Sequence, residues 1–483
     1  MVLAFAGLVA VNAVDEPLSP EVKLLAASSY HAEPTPGNGY VWMLGLLAPE
    51  QEDAYAWGAR ALARLWEFDA QSQSLSKDDP LLADHLLIPG QSRTRCQPEK
   101  ASCIKLAAEK DVEIKRELAE SGTLLDRAER MRAQPVFADS YTPNSWSSPI
   151  PSYGNVVVAQ SATLFQASFA VGEERIEEAI TLAEEDMRFS RRMLAGSTNL
   201  VGKMVANTLV ARDVLFLSDL LSKRPDQMRP YERRIASALK PLSQEEIALD
   251  VALRNEARGL VRLLLVDVPR TQSFWSAPDA PTSSAGRIAD RFASLFYQPN
   301  ATANAALRRF ETEMAVARAP ALKFDDVRKE VDVLMLQYEN LGIRDYLLNP
   351  VGNVLLGAER RSLAEYAARM HDLQGLVALV TAQAAMLSVS SPADAVVLRS
   401  VERAMRSADP YTGRPVTVDS TGELSFVPRA ARGWVRELRG QSGGVIRLRS
   451  RKTIIFTIQA AECSSNLDGT CGLAAAASSS VGH

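Results

Sequence analysis

The chain has 483 residues, of which 47% are hydrophobic and 23% are charged, and its formal net charge is −4. A chain of this length accommodates two to four domains or one extended helical array, and its apolar fraction argues against general disorder. The slightly acidic balance excludes long-range attraction of the whole protein to nucleic acid or to anionic lipid, so no nucleic-acid partner is expected. Aromatic residues make up only 6%, which suits closely packed helices better than sheets.

The first residues of the chain are almost wholly apolar. Between Val2 and Val14 only Asn12 is polar, and the first charge is Asp15. A membrane-spanning helix needs about 20 apolar residues, whereas this run has the length of a signal-peptide core, with a small-residue cleavage pattern at 11–13. We interpret residues 1–14 as a truncated anchor or signal segment. The alternative is a buried N-terminal helix.

Four cysteines form two close pairs along the chain. Cys96 is followed by Cys103, and Cys463 is followed by Cys471. In an oxidising compartment such pairs become disulfides that close small loops, and free thiols are the alternative. None of the four histidines stands in a ligand pattern, so neither a metal nor another cofactor is predicted. Together with the N-terminus, the cysteines predict a location at the bacterial inner membrane, facing the periplasm.

The segment 15–103 is predicted to hold a stalk and short helices. Its first part, up to Gly39, is rich in Pro, Ser and Glu and resembles a stalk that leads away from a membrane. Two short amphipathic helices are expected within 40–68. A first helical domain is predicted over 104–270, and it opens with one amphipathic helix over 104–131.

Antiparallel hairpins are predicted within this domain. Val156–Phe169 is apolar at helical spacing, Gly172 interrupts it, and two further helices follow on either side of a break at Gly196-Ser197. Helices joined by such short turns must pack antiparallel. The first pair resembles one tetratricopeptide-type hairpin, although no second copy recurs at a fixed period. Ser243 and Glu246 then form a capping box that opens a helix running to about residue 266.

The remainder of the chain divides into three predicted parts. A second helical region covers 286–408, a small β element covers 409–460, and a disordered tail covers 461–483. Four short strands are expected in the β element, at Val416–Val418, Leu424–Val427, Val445–Leu448 and Thr453–Ile458. The predicted fold class is therefore mostly α, with antiparallel helical hairpins that are tetratricopeptide-like in part and a small C-terminal β element.

Several short patterns resemble catalytic motifs but lack the required context. Residues 440–444 fit G-x-S-x-G, yet a helix-like segment precedes them and a strand-like one follows, the reverse of a nucleophile elbow. Residues 196–203 approach a P-loop, with one residue too many and Met204 after the lysine. The two S-x-x-K patterns, at 74–77 and 102–105, lack their partner motifs. No catalytic residue is therefore predicted.

Charged and polar clusters have simpler explanations as well. The acidic residues between Glu173 and Asp186 are predicted to lie mostly on the solvent side of a helix, and His371 beside Asp372 is expected to be merely hydrogen bonded. The basic residues between Arg447 and Lys452 are explained by edge-strand protection, and contact with anionic lipid or an acidic partner is the alternative. Binding to a partner is instead assigned to aromatic residues of Pro-rich loops, which are often functional: Trp146, Tyr153 and Trp275.

Three segments carry a resemblance to a known group of proteins. Asp409–Pro415 with Gly422–Phe426, Asn349–Asn353, and the hairpin that contains Glu184–Leu194 are similar to segments of uncharacterised membrane-anchored envelope proteins of proteobacteria. The resemblance covers Tyr40 to Phe426. It implies an inner-membrane anchor and a helical periplasmic body, and it carries no established activity.

The function predicted from these observations is that of an envelope-located helical scaffold, more readily a binding protein than an enzyme. It would bind a protein or peptide through grooves between helices, and contact the inner membrane through its N-terminus. Two alternatives remain. One is a cell-envelope hydrolase acting on lipid or peptidoglycan, and the other is an immunity or inhibitor protein. A cleft with converging Ser, His and acidic groups would favour the hydrolase, and an apolar groove would favour binding.

Overall fold

The structure is a computed structural model, and most of its described residues are helical. It describes residues 2–28, 32–71, 79–81, 94–143, 148–271, 290–340, 342, 344, 347–358, 363–388, 409–414, 417–418, 423–431 and 446–449. The predicted mostly α fold class is confirmed at this level.

Helices α1 to α10 occupy the first half of the chain. Their bounds are α1 Val2–Asn12, α2 Pro20–Ala27, α3 Gly39–Leu44, α4 Ala54–Gln71, α5 Cys103–Glu109, α6 Asp111–Glu120, α7 Gly122–Arg132, α8 Gly154–Gly172, α9 Ile176–Gly196 and α10 Leu200–Lys223.

Shorter helices follow before the chain returns to long ones. These are α11 Pro225–Met228, α12 Glu232–Ala238, α13 Gln244–Ile247, α14 Asp250–Arg262, α15 Val268–Thr271, α16 Pro299–Arg318, α17 Phe324–Glu339, α18 Pro350–Ala358 and α19 Leu363–Ala385. A π-helical stretch, Leu263–Asp267, joins α14 to α15. The capping box at Ser243 and Glu246 is present, but α13 ends after one turn and α14 starts anew, so the predicted continuous helix is wrong.

Three short strands lie near the C-terminus. Strands β1 Thr417–Val418, β2 Glu423–Phe426 and β3 Ile446–Arg449 pair antiparallel in that order. In the register, Leu424 lies opposite both Val418 and Leu448. The fourth predicted strand, at 453–458, and the predicted tail lie outside the described residues.

The core is organised around α10. This helix packs against α9 on one side and α19 on another, and α8 packs against α9. Most side chains of α10 are buried, as expected of a helix that neighbours surround on several sides. One continuous cluster of buried side chains extends from Val22 to Ala430, so both predicted helical regions contribute to a single core.

Two predictions about the first third of the chain are wrong. The helix expected over 104–131 is three helices, α5 to α7. The second break falls at Ser121, whose hydroxyl donates to the Glu117 carbonyl, and at Gly122, a poor helix former. The predicted stalk is instead part of the body: α2 packs against α14, and Val22 is fully buried.

Glycines allow one especially close helix contact. A Cβ atom at Gly45 would collide with the carbonyl of Ala54, and one at Gly58 would collide with the carbonyl of Val41. Helices α3 and α4 therefore meet backbone to backbone at this point, which only glycine permits.

Helix α1 differs from the other helices because it is apolar in sequence and its described side chains are largely exposed. Leu3 is 89% exposed, and Val11 is also exposed. Its last residue, Asn12, is buried against the body. Among the described residues, no helix combines the length and apolarity needed to cross a bilayer.

Candidate functional site

A partly open cavity of about 600 Å³ lies where four chain segments meet. These are the connection around α13, the end of α16, the middle of α19, and Pro410. We call it the α19 groove. Its size falls within the usual range for ligand pockets. Its apolar lining comprises Leu239, Pro241, Leu242, Ile247, Ala248, Ala317, Ala319, Pro320, Ala321, Leu322, Val377, Ala378 and Pro410.

The lip of the α19 groove is formed where α16 stops. Helix α16 ends at Arg318 because Ala319 is extended (φ −66°, ψ 133°), as the residue before a proline prefers. The chain then passes Pro320 and leaves Leu322 63% exposed at the groove. At the rim, the Arg318 guanidinium donates to the Asp250 carboxylate at 2.7 Å. The groove is thus an apolar trough with an ion pair at its edge.

Helix α19 contributes three polar residues to the groove lining, His371, Gln374 and Thr381. His371 Nδ1 lies 3.2 Å from Gln374 Oε1, and the imidazole packs edge-on against the rings of Phe324 and Tyr411. Burial lowers the pKa of His371 below its ordinary value of 6.5, against hydrogen bonds to the Gln374 amide oxygen and to the backbone of Ala319, which raise it. Burial therefore favours the neutral imidazole, whose Nδ1 is bonded to Gln374 and whose Nε2 is buried in the groove wall.

Asp372 turns away from this histidine and holds the C-terminal segment. Its carboxylate accepts hydrogen bonds from the Tyr411 hydroxyl at 2.7 Å and from the backbone N–H groups of Arg429 and Ala430 at 3.0 and 2.8 Å. Burial raises the pKa of Asp372 to about 6, against these hydrogen bonds, which lower it. His371 and Asp372 therefore do not form a catalytic pair, and the prediction of a merely hydrogen-bonded histidine agrees with the geometry.

A pair of acidic side chains lies in the interior between α8, α9 and α10. Asp213 accepts a hydrogen bond from Gln160 at 2.9 Å, and Asp186 lies 3.6 Å from Arg132. Burial raises the pKa of both carboxyls, and for Asp213 the charge of Asp186 raises it further. Two buried carboxyl groups in this relationship oppose each other's ionisation. They are buried and do not line the α19 groove.

A second buried polar cluster surrounds the turn between α9 and α10. Asp139 accepts hydrogen bonds from the Thr198 backbone N–H and the Asn199 side chain, both at 2.7 Å. Burial raises the pKa of Asp139 to about 7. Nearby, Lys203 donates to the carbonyls of Leu194 and Glu245 at 2.7 and 2.9 Å, and burial lowers its pKa to about 8. The lysine of the P-loop-like segment is thus bound to protein carbonyls, and helices flank it.

The structure places the predicted binding residues in different surroundings. Tyr153 is 3% exposed and its hydroxyl accepts a hydrogen bond from Asn199. Its predicted place on a partner-binding surface is therefore wrong. The Tyr153 ring lies in the interior because its hydroxyl is bonded to Asn199, which is distant in sequence. Trp146 and Trp275 lie outside the described residues.

The cysteine predictions divide in the same way. Cys96 and Cys103 are joined as a disulfide with a Cα–Cα distance of 5.2 Å, which confirms the first pair. Cys463 and Cys471 lie outside the described residues, as do 440–444 and 74–77. The second S-x-x-K pattern, at 102–105, is structural, because the Ser102 hydroxyl caps α5 by accepting from the Lys105 N–H.

The acidic stretch of α9 follows its prediction only in part. Glu173, Glu174, Glu177 and Glu178 are exposed. Glu184 and Asp186, in contrast, are buried, because Arg234 pairs with Glu184 at 2.8 Å and Arg132 lies beside Asp186. Within the described ranges, no three His, Cys, Asp or Glu side chains converge as a metal site would require.

Comparison of the chain with protein-family models, with characterised proteins and with solved structures finds no match. The resemblance to envelope proteins at Asp409–Pro415 therefore stays a prediction. The α19 groove is the candidate functional site, because it combines an apolar wall with a few oriented polar groups.

Proposed function

We propose that this protein is a non-enzymatic helical scaffold of the bacterial envelope, and that it binds an apolar peptide segment of a partner protein in the α19 groove. The observation that carries the proposal is the lining of that groove. Apolar side chains from four separate segments converge there around the neutral His371 and Gln374. Apolar walls with few polar groups are characteristic of binding sites.

The polar groups favour a peptide over a purely hydrocarbon ligand. A bound peptide carries N–H and C=O groups that must find partners once water is removed. The amides of Gln374 in the wall and Gln244 at the edge can offer both donors and acceptors. The Arg318–Asp250 ion pair at the rim can meet polar flanks of the same peptide.

The helical body supports a scaffold role. Helices α8 and α9 are joined by three residues and pack against each other, and we propose that they form the tetratricopeptide-like hairpin expected from the sequence. In such hairpins one helix pair stacks on the next to build a rigid surface. Here α10 packs on α9 in the same manner.

The proposed envelope location is supported by the disulfide. The loop between Cys96 and Cys103 is closed in the structure, and disulfides persist in oxidising compartments such as the periplasm. The apolar exposed helix α1 supports contact with a membrane, as the sequence suggested.

The groove is tested by fluorescence anisotropy with a labelled, capped, leucine-rich peptide. Ala378→Trp places a large ring in the groove wall and is expected to weaken peptide binding at least about tenfold, since bulk in a close-fitting site excludes the ligand. Val112→Trp, on the exposed side of α6, is the matched control and should bind as the wild type does.

A competing fatty acid distinguishes the ligand class. If dodecanoate binds in an Ala378-dependent manner and the peptide does not bind, the groove is a lipid site and the proposal is wrong. If the peptide binds equally well to the wild type and to Ala378→Trp, the α19 groove is not its site.

A further inference from the structure

Helix α1 is apolar on all sides, as a buried helix is, but protein does not enclose its described side chains. A helix that is apolar on all sides is normally enclosed by protein or by lipid. The described side chains of α1 before Asn12 are instead exposed or half-buried, with Leu3 and Val11 among the exposed ones. Its apolar surface therefore calls for a cover that the described part of the body does not provide.

The C-terminal end of α1 is fixed to the body by side-chain hydrogen bonds. The Asn12 side chain donates to the Leu347 carbonyl at 2.8 Å and accepts from the Asn349 backbone N–H at 2.7 Å. Gln298 donates to the carbonyl of Val14 at 3.1 Å. We call Asn12, Gln298 and Asn349 the clamp. Gln298 also donates to the carbonyls of Val11 and Asn12 at the helix end, which would otherwise need water.

The residues after the clamp continue this attachment. Asp15 accepts hydrogen bonds from the backbone N–H groups of Asn300 and Ala301 at the start of α16, where a negative charge is favourable. Glu16 accepts from Asn304. Both acidic groups are thus engaged with α16, and α1 is held by the body directly rather than through a flexible stalk.

Exposed apolar and basic residues lie in the two chain segments that lead to Gln298 and Asn349. Phe292 and Leu295 stand in the segment that leads to Gln298, and Leu347 belongs to the segment whose carbonyl Asn12 binds; all three are exposed. Arg291 and Arg344 are exposed in the same two segments. The backbone joins these segments, because the Val351 N–H donates to the Phe296 carbonyl. We call these five residues the clamp surface.

We propose that the clamp surface lies against an anionic lipid bilayer while α1 enters the hydrocarbon, an inference that rests on the proposed envelope location. Exposed Phe and Leu beside Arg are typical of surfaces at the lipid headgroups, where the rings and alkyl groups enter the acyl boundary and the guanidinium groups meet phosphates. Because the clamp fixes the direction of α1, insertion of α1 brings this side of the body to the membrane.

Vesicle flotation of the full chain tests the inference. The probes are phosphatidylcholine vesicles with and without phosphatidylglycerol. Phe292→Glu with Leu295→Glu should lower the bound fraction on both vesicle types at least about tenfold, since charge at the acyl boundary opposes insertion. Arg291→Gln with Arg344→Gln should lower binding about fivefold per arginine, and only on the anionic vesicles.

Two controls separate this inference from the proposed function. Val112→Glu, which is exposed on α6, should float as the wild type does, and so should the groove variant Ala378→Trp. If both clamp-surface variants float as well as the wild type, the inference is overturned even where α1 still tethers the protein. If the wild type binds neither vesicle, the inference is also overturned, while peptide binding in the α19 groove is judged by its own assay.

Discussion

The hydroxyl of Tyr411 donates a hydrogen bond to the carboxylate of Asp372 at 2.7 Å and thereby joins the C-terminal segment to the longest helix that lines the groove. The same carboxylate also accepts from the backbone of Arg429 and Ala430. One side chain of α19 therefore holds two separate parts of the C-terminal segment. The groove depends on this attachment, because the Tyr411 ring packs against His371, which lines the groove.

Tyr411→Phe should loosen this attachment. The substitution removes one donor from a buried carboxylate, and we expect a loss of about 1–3 kcal/mol in the free energy of unfolding. Cleavage by trypsin after Arg429, whose backbone N–H the same carboxylate holds, should accelerate. Urea denaturation and limited proteolysis measure these effects, with Tyr366→Phe, a half-buried tyrosine of α19, as the control. An unchanged denaturation midpoint would show that the hydrogen bond adds nothing.

The stability of the protein should fall as the pH rises from about 4 to about 7. Burial raises the pKa of Asp139 from 3.8 to about 7 and that of Asp372 from 3.8 to about 6. In this window the folded state binds more protons than the unfolded state, so the stabilising contribution is complete below pH 4 and is lost as the pH rises through the folded pKa values. For Asp139 the effect is on the order of 2–4 kcal/mol.

Asp139→Asn should remove its share of this dependence. The amide oxygen can take the hydrogen bonds from Thr198 and Asn199, and the amide nitrogen can occupy the position of Oδ1, which has no hydrogen-bond partner among the described residues. Urea midpoints at pH 5 and pH 7.5 should then differ less than in the wild type. Asp332→Asn, on an exposed face, should leave the difference intact. An equal pH dependence in Asp139→Asn would contradict the assignment.

Lys203 should act in the opposite direction at alkaline pH. Burial lowers its pKa from 10.5 to about 8, so between these values the unfolded state binds more protons and the free energy of unfolding rises with pH. Lys203→Met, which keeps the length of the side chain, should flatten that rise. Denaturation at pH 8 and pH 10 measures it, and Lys223→Met, a partly exposed lysine of the same helix, is the control.

The ion pair between Glu99 and Arg212 should be among the most sensitive contacts. Both side chains are buried and two guanidinium nitrogens bind the carboxylate, at 2.7 and 3.0 Å. Glu99→Ala leaves the arginine charge buried without its partner, and we expect a loss of about 3–5 kcal/mol. Glu178→Ala breaks the exposed pair with Arg175 and should cost less than about 1 kcal/mol. Similar losses for both variants would contradict this ranking.

The disulfide should stabilise the loop that carries Glu99. Replacing both Cys96 and Cys103 by alanine removes the crosslink of a short loop, and we expect a loss of about 2–3 kcal/mol. Peptide mapping without reductant should recover the two cysteines in one linked peptide. Combining the alanine variant with Glu99→Ala should give less than the sum of the two losses, because the freed loop no longer holds Glu99 against Arg212. Strict additivity would show that the two contacts act independently.

Sequence patterns predicted the features that depend on neighbouring residues. The helix ends at Gly172 and Gly196 and the capping box at Ser243 are local signals, and each appears in the structure. The same reasoning assigned residues up to Gly39 to a stalk, because their composition is that of a loop. Their partners at Asn300 and Asn304 are some 285 residues away, and no local pattern encodes such a contact.

The candidate site was beyond sequence reasoning for the same reason. The α19 groove combines residues near 240, 320, 375 and 410, and the local patterns in these segments, such as the capping box at Ser243, do not indicate that the segments meet. His371 was visible as a lone polar residue, but its place in a cavity depends on the end of α16. The spacing along α9 does not reveal that Asp186 is buried, because its partner Arg132 and its neighbour Asp213 lie on other helices.

The clamp also has a consequence for the order in which the chain can fold during synthesis. Asn12 and Asn349 are 337 residues apart, so the ribosome must add all of those residues before the hydrogen bond can form. At ordinary rates of translation this takes roughly 17–70 s. During that time α1 has emerged without its attachment and is available to whatever apolar surface it meets first. Helix α1 therefore meets a membrane or another apolar surface before the body has folded. The clamp then forms on a helix whose position is already fixed.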